Sequence, residues 1–177
     1  MRHGWFGVVV QCAALVVLVC EPAQAFDLRG GVGLAGMLVG NQPRFAVSPH
    51  VAISWISEDG FMFAFREMLS FVPVTNKDVV GLYSRTSASL GYATPSMDLS
   101  GGPSISLYSM PSCRNLLCGR ASGLAVGGHV EASFFLLGPL GLSVSANVDW
   151  ITGNSLVISE GIAAAIVAGP VVRWTRK

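Results

Sequence analysis

The sequence predicts an all-β fold, an antiparallel up-and-down β-barrel of about eight strands over residues 26–177, preceded by a cleaved signal peptide at residues 1–25. Three observations predict it. Apolar and polar residues alternate with a period of two in segment after segment, the signature of strands whose two faces meet different surroundings. Only 12% of residues are charged and 51% are hydrophobic, whereas an ordinary soluble domain is roughly a quarter charged. Such a surface is poorly suited to water. Finally, the chain past residue 25 lacks the run of about 20 apolar residues that a membrane helix needs. Its best candidate, Ile162 to Val172, is short and contains the pair Gly169-Pro170. A closed barrel is the other structure that pairs every backbone group without help from water.

The N-terminus has the layout of an export signal. Arg2 and His3 precede an apolar run from Val8 to Val19, and Ala23-Gln24-Ala25 forms a small-residue cleavage site. Lipoprotein processing at Cys20 is disfavoured because Val19 stands where a small residue is needed. What remains is the length of one domain. A net charge of +1 leaves no basic footprint, so nucleic acid is not an expected partner.

Eight segments are expected, taken in order. The first is Phe26–Val39, rich in glycine. In the second, Phe45–Ile56, Phe45, Val47, Val51, Ile53 and Trp55 oppose Ala46, Ser48, His50, Ala52 and Ser54. The third, Phe61–Phe71, opens with Phe61, Phe63 and Phe65 on one face. In the fourth, Val79–Tyr92, Leu82, Leu90 and Tyr92 oppose Tyr83, Arg85, Ser87 and Ser89. The fifth, Met97–Tyr108, is weaker, with Ile105 and Leu107 against Ser104, Ser106 and Tyr108. The sixth, Gly123–Leu136, sets Leu124, Val126, Val130 and Phe134 against His129, Glu131 and Ser133. The seventh contains LSVSANVDW, residues 142–150, whose alternation has no miss. The eighth, Leu156–Trp174, turns Ile162, Ile166, Val172 and Trp174 away from Arg173. The polar faces carry small residues, which suit the inside of a narrow eight-stranded barrel. The apolar faces then point outward.

Connections alternate in length. Residues 57–60, 93–96 and 138–141 are tight turns, whereas 72–78, 109–122 and 151–155 are mostly longer, the first connection, 40–44, and the last being shorter than strict alternation would give. Alternating segments joined in this way resemble the small outer-membrane barrels of Gram-negative bacteria, the OmpA/OmpX-like class. The resemblance covers residues 26–177 and rests on pattern. It implies an outer-membrane location, membrane lipid as the surrounding partner and an aromatic final residue. This chain ends Trp174-Thr175-Arg176-Lys177, so its last aromatic lies three residues early. One residue conflicts with the outward apolar face. Glu67 follows Phe61, Phe63 and Phe65 with the same parity, and a bulge near Arg66 is the expected device for turning it inward.

Several candidate sites follow. On the inner parity, His50, Arg66, Arg85, His129, Glu131, Asp149, Glu160 and Arg173 are expected to form a polar network across the lumen, because buried charges must be paired. Cys113 and Cys118 are the cysteines left beyond the signal peptide. In an exported protein they are expected to form a disulfide. The segment 109–122 that holds them is either a loop contacting an external partner or one stapled against proteolysis. Gly31, Gly33 and Gly36 match a dinucleotide fingerprint but lack its strand–helix context. His129, Glu131 and Ser133 have the residue types of a lipid-active hydrolase, yet their parity points them into the lumen. No cofactor and no metal site is indicated, and no enzyme is expected. The expected role is structural or surface-interacting. The alternative is a soluble exported barrel or sandwich, periplasmic or secreted, with an apolar ligand inside.

Overall fold

The structure, a computed structural model, describes residues 25–39, 42–73, 80–114, 117–152 and 161–176. Its strands are β1 (Ala25–Val39), β2 (Gln42–Ile56), β3 (Phe61–Pro73), β4 (Val80–Ala93), β5 (Met97–Arg114), β6 (Leu117–Leu137), β7 (Leu140–Thr152) and β8 (Gly161–Arg176). Each pairs with the next in antiparallel fashion, and β8 pairs back onto β1 to close the barrel.

The register fixes how the strands lean. Partners followed around the wall run from Tyr92 through Leu99, Ala132, Val144, Ala168, Leu34, Val47 and Phe71. The row rejoins β4 at Leu82, ten residues from its start. A stagger of this kind goes with strands inclined by about 35–45° to the barrel axis.

Alternation decides which way each side chain points. In β7, Val144 is 47% exposed on the outside while Ser145 is 1% exposed inside. The same rule exposes Leu34, Phe45, Leu99, Ile105, Val130 and Ile166 on the outer wall. The apolar faces thus turn outward and the small polar ones inward, opposite to what an interior for an apolar ligand requires. Outward aromatics gather at the two ends. Phe26, Phe61, Tyr92, Phe134 and Trp174 lie at the end carrying the tight turns, and Phe45, Phe71 and Trp150 at the opposite end. Trp55 stacks on Phe63 and meets Phe26 edge-on, both at ring-centroid distances of 5.9 Å.

The three tight turns are tied to the neighbouring hairpins. Gly60 O accepts from Ala93 N, Ser96 O from Phe135 N and Pro139 O from Arg173 N. Gly60 and Gly138 hold φ of 84° and 63°, values that glycine adopts without a Cβ penalty.

Some boundaries differ from the sequence reading. Residues 109–114 and 117–122, expected to belong to a loop, continue the ladder, with Ser109 opposite Ser122 and Arg114 opposite Leu117. Their faces do not alternate in hydropathy, which hid them, but backbone pairing needs no such contrast. Strand β2 starts at Gln42, three residues before Phe45. Residues 156–160, assigned to the eighth segment, lie outside the described residues. The bulge near Arg66 is absent, since β3 pairs with β4 without a break from Phe61↔Tyr92 to Pro73↔Val80.

Close backbone approach makes two glycines respond differently. A Cβ on Gly127 would run into the carbonyl oxygen of Val148 and into Asp149, whereas one on Gly36 meets nothing within 4 Å. Gly127→Val is expected to lower the unfolding free energy by about 1–3 kcal/mol or more, as overpacking does. Gly36→Ala should stay within about 0.5 kcal/mol of the parent. Equilibrium urea unfolding of both variants measures the contrast.

Candidate functional site

The inner face collects four arginines, Arg29, Arg66, Arg85 and Arg173, and four carboxylates, Asp27, Asp98, Glu131 and Asp149, all buried. Their order along the barrel follows from where each lies on its strand.

At the turn end, Arg173 of β8 is the hub. It donates through Nη2 to Asp98 at the start of β5, and through Nη1 to the carbonyls of Thr94 (3.2 Å) and Pro95 (3.3 Å). Its Nε lies 3.2 Å from Asp27 Oδ2, and its guanidinium sits 3.8 Å above the centre of the Phe135 ring. The other oxygen of Asp98 accepts from Arg29 Nη1 at 2.9 Å. Arg29 also donates to Ser54 Oγ at 3.1 Å. This cluster floors an open recess of about 850 Å³ between the turns, whose lining includes Asp27, Glu58, Thr94 and Arg173.

Halfway along, Arg66 of β3 donates to Glu131 of β6 at 2.7 Å. His50 lies across from Gly31 on β1, and a Cβ there would overlap the imidazole. The glycine leaves room for that ring. Towards the far end, Asp149 of β7 accepts from Tyr83 and from Arg85 Nη2. It also accepts from Arg85 Nε at 3.1 Å and from Ser104 and Ser106 at 3.0 Å each. A carboxylate with this many donors has its charge satisfied without water. Beyond it the interior becomes apolar, where Met37, Met68, Val72, Tyr108, Met110 and Ile151 belong to one buried cluster.

Seven of the residues singled out from the sequence, His50, Arg66, Arg85, His129, Glu131, Asp149 and Arg173, are therefore inside the barrel. Glu160 lies outside the described residues. Arg66 meets Glu131 and Arg85 meets Asp149, while Arg173 meets Asp27 and Asp98. Asp27, Arg29, Asp98 and Tyr83 were missed as network members. Asp27 and Arg29 carry a usable signal, since they share a parity opposed by Phe26, Leu28, Val32 and Leu34.

The other readings fare as follows. Ser133 Oγ donates to Glu131 at 3.4 Å, and His129 Nδ1 faces the Gly102 carbonyl at 3.1 Å. That geometry does not make a nucleophile with its base. Gly31 to Gly36 lie inside β1 and the next element is β2, so the helix a nucleotide site needs is missing there. Among the described residues no three His, Cys, Asp or Glu come together to hold a metal. Cys113 stands opposite Cys118 in the β5–β6 register, and their side chains lie outside the described set. Glu67 stays on the outer wall, where Ser84 Oγ (2.7 Å) and Thr86 Oγ1 (2.5 Å) of β4 donate to its carboxylate. Glu67 is therefore not turned inward as expected, and hydroxyls on the neighbouring strand meet its carboxylate where it stands.

Breaking one half of a buried pair strands the other. Glu131→Ala is expected to cost about 3–5 kcal/mol by leaving Arg66 uncompensated. Replacing both at once, Arg66→Met with Glu131→Leu, should recover most of that loss in the same urea titration.

No protein-family model matches the chain, and no curated protein sequence matches it. Solved structures do. Neisserial surface protein A, NspA, is 14% identical with a TM-score of 0.54, covering 85% of this chain and 99% of its own. The N-terminal β-barrel domain of Pseudomonas aeruginosa OprF is 8% identical with a TM-score of 0.56, covering 87% and 100%. Ail, the attachment invasion locus protein of Yersinia pestis, crystallised with the heparin analogue sucrose octasulfate, is 8% identical with a TM-score of 0.58, covering 85% and 98%. At such identities the likeness is one of fold, and the chain has the closed eight-stranded antiparallel architecture of the small outer-membrane β-barrels.

Proposed function

We propose that this chain is an integral barrel of the bacterial outer membrane, exported by way of residues 1–25, with its lumen closed by its own side chains. The observation that carries the reading is the sorting of side chains. Large aliphatic and aromatic groups face outward on the strands, and four arginines and four carboxylates face each other inside. Outward aromatics at both ends fit the two interfacial girdles that bound an apolar band about 25 Å tall. The tight turns, the start of β1 and the end of β8 would lie on the periplasmic side, and the β5–β6 hairpin on the outer side.

The role is structural or surface-interacting. Arg66–Glu131 and Arg85–Asp149 span the lumen, and the apolar cluster lies beyond them, an arrangement that supports closure over free passage of solutes. The β5–β6 hairpin supports a surface role. Strands β5 and β6, of 18 and 21 residues, are the longest described, and the hairpin carries Arg114 and Arg120. An anionic partner would suit it. A Cys113–Cys118 disulfide would stiffen this hairpin. Directly opposed antiparallel residues have Cα atoms about 4.5–5.5 Å apart, within the roughly 4.4–6.8 Å that disulfides span.

Fractionation and heat-modifiability test the membrane assignment, and single-cysteine labelling tests the orientation. With Cys113 and Cys118 replaced by serine, Val144→Cys is expected to react with a lipid-soluble thiol probe in vesicles and Ser145→Cys to be protected. Recovery of the folded protein from the soluble periplasm without detergent would overturn the proposal. For the disulfide, the intact mass of the unreduced wild-type protein should be lower than that of the reduced protein by two hydrogens.

A further inference from the structure

The inside of the barrel differs between its two ends. At the turn end an open recess of about 850 Å³ is lined in part by Asp27, Arg173 and Thr175. Below it the lumen is polar, and several buried atoms there have no hydrogen-bond partner among the described residues. They are Asp27 Oδ1 and Arg29 Nε nearest the recess, both ring nitrogens of His50, Arg66 Nε and His129 Nε2 halfway along, and Arg85 Nη1 deeper still. Buried polar atoms that no protein group meets bind water. At the far end the inner wall turns apolar on every side. One buried cluster takes residues from all eight strands, from Met37 of β1 and Ala46 of β2 round to Ile151 of β7 and Ala165 of β8. Val72 and Ile151 are each the last residue but one of their strand, yet only 0% and 1% exposed. Inward side chains at the rim of an aqueous mouth would be open to water, and these are not.

We infer that this apolar ring, rather than the ion pairs, is what closes the lumen: water enters the polar section through the recess at the turn end and stops at the ring. The inference rests on the membrane assignment and the closed lumen proposed above, and names the layer that does the closing. Charged side chains do not by themselves exclude water. Arg66–Glu131 and Arg85–Asp149 cross the lumen, but Arg66 Nε and Arg85 Nη1 are left for water to meet, so the pairs stand in a wet section. A water entering the ring has to give up such partners. Buried waters make about three hydrogen bonds each. The ring offers little beyond the hydroxyl of Tyr108, since Tyr83 turns its own to Asp149. A narrow passage lined in this way empties of water and stops ions and protons. The barrel is then a blind well, open to the periplasm and dry towards the outside.

The test uses the full chain refolded into phosphatidylcholine vesicles loaded with a pH-sensitive dye, with potassium and valinomycin present to carry the counter-charge. After an acid step outside, the wild-type protein is expected to admit protons no faster than empty vesicles do. Val72→Ser with Ile151→Ser, which places hydroxyls in the ring, should speed proton entry by about tenfold or more. Arg66→Ser with Glu131→Ser, which removes a cross-lumen pair without adding apolar bulk, should leave entry at the wild-type rate. Heat-modifiability and flotation with the vesicles show that each variant has folded and inserted. Where the serine pair in the ring does not refold, Val72→Ala with Ile151→Ala removes bulk alone and is expected to leak as well. Inserted ring variants as tight as the wild type overturn the inference, as does leakage on removal of the ion pair alone. Leakage through the wild-type protein would overturn closure itself and the inference with it. Refolded protein that does not float with the vesicles would instead remove the membrane assignment on which both rest.

Discussion

The seam between β1 and β8 is the contact on which everything else depends. Seven of the eight strand pairings join elements adjacent in sequence, and this one joins the two ends of the sheet. Without it the sheet has two open edges, and an open edge cannot be tolerated in lipid. The seam forms in two stretches, Phe26 to Gly31 against Val171 to Arg176 and Leu34 to Val39 against Ala163 to Ala168. Between them lies Pro170, which has no N–H to give to a ladder. Glycines gather on both sides of the gap. A Cβ on Gly31 would strike the Pro170 carbonyl, and one on Gly169 would strike that of Val32. The glycine-rich start of the chain is thus the part of the closing seam where backbones come nearest.

Closure sets the interior. With strands inclined and staggered, side chains from distant parts of the sequence arrive at the same height. Arg66 and Glu131 are 65 residues apart, Arg85 and Asp149 are 64 apart, and Arg29 and Asp98 are 69 apart. Among the described residues, the balance of four arginines and four carboxylates suits a space with little water, where an unpaired charge is costly. It also acts against misalignment. A slip of one residue in any strand would carry its charges to the outer face and its apolar groups inward.

The same parity explains what could be read from the sequence. A period of two needs no knowledge of neighbours, so the faces of 142–150 and the inward side of His50, Arg85 and Glu131 follow from the string of letters alone. Pairing does not. Nothing local tells Arg173 that it will meet Asp98, because that depends on stagger. Asp27 and Arg29 were overlooked because glycines blur the contrast between faces in β1, and Asp98 because it stands at the first turn of a weak segment. Glu67 shows the limit most clearly. Its outward parity was legible, but its hydrogen bonds come from Ser84 and Thr86, 17 and 19 residues later, and required the β3–β4 register. The β5–β6 hairpin escaped notice because a ladder beyond the apolar band no longer has unlike faces to advertise it.

The distance along the chain between lumen partners also bears on how such a gene can change. Outer-wall positions such as Leu99 or Ile166, exposed and without a partner across the lumen, need only stay apolar and can drift one codon at a time. Arg66 and Glu131 cannot, since either change alone passes through a stranded charge. Recombination with a breakpoint between those two codons would separate them. Chimaeras of divergent relatives joined there should fail more often than those joined within a single hairpin, although the hairpins look interchangeable from outside.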